Sequence, residues 1–133
     1  MAILNETTYV DKAEHVIDEL KQPYEKEGRM VKPQLVTTSK IRNILSMAGD
    51  IYDKIMQENS PQLSQDIRAR IEYLRVRIVY ESGREPTVKS FVKKAQLLEC
   101  IKEIGKEKKD YLLFYHYLEA LVAFHRYKGG KDN

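Results

Sequence analysis

Four arginines stand in the stretch Arg70–Arg84, which reads RIEYLRVRIVYESGR. Arg70, Arg77 and Arg84 recur every seven residues, and Tyr73 and Tyr80 share that spacing. At about 100° per residue these five side chains fall on one helical stripe that drifts only about 20° per heptad. Guanidinium groups beside aromatic rings suit a polyanion, because the first hold phosphate by charge and hydrogen bonds and the second can stack on bases. Arg68 and Arg75, also seven apart, lie on the opposite flank. Between the flanks run Leu63, Ile67, Ile71, Leu74 and Ile78, an apolar stripe that must face a core. At heptad spacing beside that stripe, Tyr73 and Tyr80 are expected to pack rather than to stack on bases.

A second basic group opens another helix. In TTSKIR, Thr37, Thr38 and Ser39 are each plausible N-caps, and Lys40 and Arg42 sit in the first turn. Cations there oppose the helix dipole, an arrangement that a bound phosphate would reverse; the same residues also make an ordinary helix start. Lys89 and Lys93, four apart, are neighbours on the outer face of the helix that follows Arg84.

Residues suited to catalysis do not converge. His116 and His125 are nine apart, about 180° around a helix, so they cannot chelate one ion from one helix. A histidine in so apolar a segment is expected to be a satisfied core group or a rim contact. No glycine-rich phosphate loop, HExxH, CxxC or GxSxG pattern occurs, and nothing places a base beside Cys100, the single cysteine. The expectation is a protein without catalytic residues, metal or cofactor.

The elements that position these groups read as helices. The first starts near Tyr9 after Thr7 and Thr8, with Val10, Ala13, Val16, Ile17 and Leu20 in period, and ends at Pro23. Residues 23–36 show no clean period around Pro23, Gly28 and Pro33, so they read as a flexible linker that lets the first helix dock in more than one place. A second helix carries Ile41, Ile44, Leu45, Ala48, Ile51, Tyr52 and Ile55 inward. The third is expected from Ser60 as N-cap and Pro61 to Ser82, with Gly83 as its stop. The fourth runs from Pro86 to Ile104. A fifth, YLLFYHYLEALVAFHRY, is apolar nearly all round and must be central or cover a partner subunit. Lys131 to Asn133 should fray. No segment reads as a strand, since YLRVRIVY alternates only within a longer helical pattern. The expectation is an all-α, five-helix bundle forming a single domain over residues 1–133.

Composition agrees with a helix-rich globular chain: 133 residues, 42% hydrophobic and 32% charged, with net charge +3. The charge is unevenly placed, residues 1–27 carrying −4 and the remainder +7. Such asymmetry fits an acidic N-terminal element that meets a basic partner surface and a basic body that meets nucleic acid, or simply solvated helix faces. No apolar run approaches the roughly 20 residues that cross a bilayer, and the chain is expected in the cytoplasm with no membrane contact.

Taken in order, the blocks NETTYVDKAEHVIDEL, LVTTSKIRNILS, IEYLRVRIVYESGRE, VKSFVKKAQLLECIKEI and YLEALVAFHRYKGGKD resemble the small helical subunit of the type III-A CRISPR effector, the Csm interference complex. The resemblance covers nearly the whole chain; residues 23–35 and 57–66 match loosely. It implies a non-catalytic helical bundle that stacks head to tail with copies of itself, an inner filament along the guide RNA and its paired target RNA. RNA cleavage would belong to the backbone subunit, and DNA cleavage and cyclic oligoadenylate synthesis to the large subunit. Both would be partners, and the role would be antiviral defence. On the matching blocks, Lys40, Arg42, Arg75, Arg77 and Arg84 become RNA-binding residues, with Lys89 and Lys93 beside them, all contacting the backbone because the guide sequence varies. Arg70 falls outside the strongest block and is set aside. The alternative is a self-associating helical adaptor that binds an acidic protein partner through the same stripe.

Overall fold

The computed structural model describes residues 2–132, which form six helices and one short hairpin. Helix α1 spans Tyr9–Leu20 and buries Ala13, Val16 and Ile17. Asn5 shapes its entry, accepting backbone bonds from Thr8 at 3.2 Å and Tyr9 at 3.0 Å. The segment expected as an unstructured linker holds two strands, β1 Tyr24–Lys26 and β2 Arg29–Val31, paired antiparallel with Tyr24 opposite Val31. The turn is made by Glu27 and Gly28, both at positive φ (53° and 80°), where glycine carries no steric cost. A three-residue pairing offers no periodicity for a sequence to display.

Helix α2 is Thr38–Met56 with Thr37 as N-cap, its hydroxyl accepting from the Lys40 N–H. Helix α3 is Gln65–Arg84. Its cap is Ser64, which accepts from the Ile67 N–H at 3.2 Å, and not Ser60 as the Ser60-Pro61 pair suggested. Pro61 lies in a loop whose carbonyl accepts from Lys108, while Leu63 donates to Lys106, so residues 61–63 are pinned to the start of the last helix. Gly83 does not stop α3; Glu85 turns extended because it precedes Pro86, which opens α4, Pro86–Ala95.

The five-helix expectation fails at Gln96. That residue sits in the left-handed region (φ 58°, ψ 39°) and separates α4 from α5, Leu97–Lys102. An unbroken helix would have continued the face of Phe91 and Ala95 through Leu98; with the break, Leu97, Cys100 and Ile101 are buried, and Leu98 and Ile104 pack half-buried against the core. The Gln96 side chain accepts from Lys12 at 2.8 Å, tying the break to α1.

Helix α6, Lys108–Tyr127, is central as its composition demands: it packs on α1 and α2 and buries Tyr111, Phe114, Tyr117, Leu118 and Leu121. The hydroxyls of Tyr111 and Tyr117 donate to the carbonyls of Ala48 (2.7 Å) and Ala95 (2.9 Å), which makes their complete burial tolerable. The buried apolar residues of all six helices form one continuous core. Lys131 and Asp132 are docked rather than frayed, their carbonyls accepting from the N–H groups of Thr38 (2.7 Å) and Ser39 (3.3 Å) at the start of α2; Asn133 lies outside the described residues.

Candidate nucleic-acid interface

Helix α3 buries Ile67, Ile71, Leu74 and Ile78 and turns the rest of its circumference outward. Tyr73, Val76, Val79 and Tyr80 are 64%, 59%, 51% and 54% exposed. The expectation that the two tyrosines pack is therefore overturned. Each lies two residues beyond a core isoleucine, which on a helix is about 160° away from it; the heptad spacing obscured that.

The arginines are held by acids of their own helix. Glu81, its side chain 14% exposed, pairs with Arg77 at 3.4 Å and with Arg84 at 3.5 Å. The two guanidinium groups also lie 5.4 and 5.6 Å from the centroid of the Tyr80 ring, within cation–π range. Lys40 crosses from α2 to Glu85 at 2.8 Å, and this bond holds the Glu85 carboxyl below the usual carboxylate range, with Arg84 adding to the effect. Lys40, Arg77 and Arg84 are thus gathered around one corner, where the start of α2 meets the end of α3.

Arg75 stands apart. It pairs with Glu72 at 3.2 Å on the other flank and, with Arg68, Ile101 and Lys102, lines a hollow of about 370 Å³ between α3 and α5. Arg42, Lys89 and Lys93 are exposed and form no ion pair among the described residues. The neighbouring Lys94 is committed to Glu19 at 3.3 Å. The first turn of α2 contains no acid, as an anion site would prefer, but two of its N–H groups are taken by the tail carbonyls. A phosphate would have to displace the tail to reach them.

Other reactive groups are spent on structure. His125 is 3% exposed: its Nε2 lies 2.8 Å from the Val36 carbonyl and its Nδ1 3.1 Å from the Thr38 hydroxyl. Burial lowers its pKa from the ordinary value. His116 is exposed on the far side of α6, and His15 pairs with Glu19 at 2.8 Å. Burial pushes the Cys100 thiol up to about 12, which removes the thiolate that a nucleophile would need. Among the described residues no three histidine, cysteine or acidic side chains cluster as a metal site, and no helix is long and apolar enough to cross a membrane.

Sequence reasoning overlooked a groove between α2 and α3 lined by Met47, Asp50 and Ile51 on one side and Ala69, Arg70, Tyr73, Leu74 and Arg77 on the other. Its signal was present in the polar side of α2, where Met47 and Asp50 share a face, but nothing in the sequence places that face against Arg70 and Tyr73.

The fold is a small helical domain that turns an arginine- and tyrosine-bearing helix outward. Over residues 14–131 the chain matches the family model described as Csm2 Type III-A. It is 42% identical over 132 residues to the CRISPR system Cms protein Csm2 of Streptococcus thermophilus, covering 99% of this chain and 100% of that one. The protein of the same name from Mycobacterium tuberculosis (strain ATCC 25618 / H37Rv) is 41% identical over 97 residues, 73% of this chain and 78% of its own. That of Enterococcus italicus is 37% identical over 119 residues, 86% and 85% of the two chains. The chain belongs to the Csm2 family of type III-A CRISPR systems.

Proposed function

We propose that this chain is a non-catalytic RNA-binding subunit of a type III-A effector in the cytoplasm, stacking with copies of itself as an inner filament along the guide RNA–target RNA duplex. The backbone and large subunits are its further partners. Lys40, Arg42, Arg75, Arg77, Arg84, Lys89 and Lys93 hold phosphates without reading bases. The observation that carries this reading is the outward face of α3, where Arg77 and Arg84 flank an exposed Tyr80. Their partner Glu81 does not cancel them, since two guanidinium groups share one carboxylate. Contacts of this kind serve a guide that changes with each spacer, because phosphate positions repeat whatever the bases are.

The test is the affinity of assembled effector for matched target RNA at several salt concentrations, with Arg75, Arg77 and Arg84 changed to Ala. Each lost phosphate contact should flatten the slope of log K against log salt by close to one unit. An unchanged slope and affinity would remove these residues from the interface. The alternative, a self-associating adaptor for an acidic protein, predicts instead that the variant keeps RNA affinity and loses an acidic peptide.

A further inference from the structure

We propose that the groove between α2 and α3 receives an unpaired nucleobase of RNA, with Tyr73 as its stacking wall and Arg70 and Arg77 at its rim for the adjoining phosphate. The proposal rests on the reading of the chain as an RNA-binding subunit and adds a base contact that phosphate-only holding lacks. The groove measures about 390 Å³, within the range of small-ligand pockets. Its floor is apolar: Ile51 and Leu74 are 6% and 2% exposed, and Met47 and Ala69 complete the lining. Tyr73 stands 64% exposed at the edge, and its ring has no aromatic or cationic partner among the described residues.

The polar groups decide what class of ligand fits. An apolar side chain from another protein would fill the floor but leave unused the N–H groups that the two arginines do not spend on Asp66 and Glu81. A nucleotide is flat and apolar at one end and anionic at the other, which matches an apolar floor, an aromatic wall and two arginines. Arg70 uses its Nε on Asp66 at 3.0 Å, and Arg77 one terminal nitrogen on Glu81 at 3.4 Å, so each keeps N–H groups for phosphate. Asp50, which forms no ion pair among the described residues, is an acceptor in the lining for the N–H donors that bases carry on their edges. Stacking tolerates any base, so the groove stays compatible with a variable guide.

The full chain is titrated with a short single-stranded RNA and with an oligonucleotide of the same length and charge in which every base is replaced by an abasic site. The natural RNA should bind about tenfold more tightly, Tyr73→Ala should abolish that difference, and Tyr73→Phe should retain it. In parallel, adenosine monophosphate but not ribose 5-phosphate should shift the NMR signals of the Tyr73 ring and the Met47 methyl. Equal binding of the two oligonucleotides, or ring signals that stay in place, overturns the base groove. If Arg77→Ala still weakens both oligonucleotides, phosphate holding survives without it; if Arg77→Ala weakens neither, both readings fall. Loss of self-association in Tyr73→Ala with equal oligonucleotide binding overturns the proposal in favour of a protein occupant.

Discussion

His125 is hydrogen-bonded at both ring nitrogens, and its partners decide its tautomer. The Val36 carbonyl only accepts, so Nε2 carries the proton; Nδ1 is then the acceptor, and the Thr38 hydroxyl donates to it. Protonation would place a charge on a buried ring, and the Lys21 and Arg126 cations add to that cost, so the pKa is lowered from the ordinary value of 6.5 although the Val36 carbonyl acts in the opposite direction. The folded pKa is depressed relative to the unfolded one, so the unfolded chain binds the proton more readily. The stability His125 contributes is present above the unfolded value near 6.5 and is lost as pH falls through the lower folded value. Urea denaturation at pH 7.5 and at pH 5.5 should show the midpoint falling, and NMR titration should place this ring's midpoint below the ordinary histidine value near 6.5. A midpoint for His125 at or above that ordinary value would refute the assignment. Tyr73 and Tyr80 show the complementary case at this scale: their exposure was readable from their angle to Ile71 and Ile78, whereas the partners of His125 were not, being 87 and 89 residues away.

Among the elements, the end of α6 and the start of α2 form one unit. Gly129 at φ 92° turns the chain, Gly130 donates to the His125 carbonyl at 2.8 Å, and the tail then reaches Thr38 and Ser39. A Cβ on Gly130 would lie 2.1 Å from Nδ1 of His125, and the ring cannot retreat because both nitrogens are bonded. Gly130→Ala should therefore cost about 1–3 kcal/mol and free the tail, read as faster amide exchange at Thr38 and Ser39. Unchanged exchange would mean that the tail is held without this turn. Helix existence and type were legible in the sequence because an amphipathic period repeats over many residues. The breaks were not: Gln96 has no special preference for the left-handed region, and what places it there is the demand of Leu97, Cys100 and Ile101 for the core.

The whole molecule pairs part of its acidic segment internally. Lys128 reaches Glu14 at 3.0 Å and Asp18 at 2.6 Å, Lys94 reaches Glu19, and α1 packs on α6 and α4. The −4 stretch that suggested a basic partner is thereby answered in part within the chain, at Glu14, Asp18 and Glu19, and the basic surface that remains is on α3 and α4. The hairpin of β1 and β2, by contrast, is exposed at every residue except the half-buried Val31. Replacing residues 24–31 by a flexible linker of equal length should change unfolding free energy by less than about 0.5 kcal/mol. A larger loss in a thermal melt would show that the hairpin is part of the core's support. The sequence by itself determined the helical class, the core stripes of α2, α3 and most of α1, the centrality of α6 and the family, because these rest on periodicity and ordered blocks within continuous stretches. Tertiary structure alone decided which basic groups meet: Lys40 comes to Arg84 through Glu85, Arg75 goes to the other flank, and the tail covers the α2 N-terminus. Those outcomes depend on how helices distant in sequence cross, and no local spacing encodes a crossing.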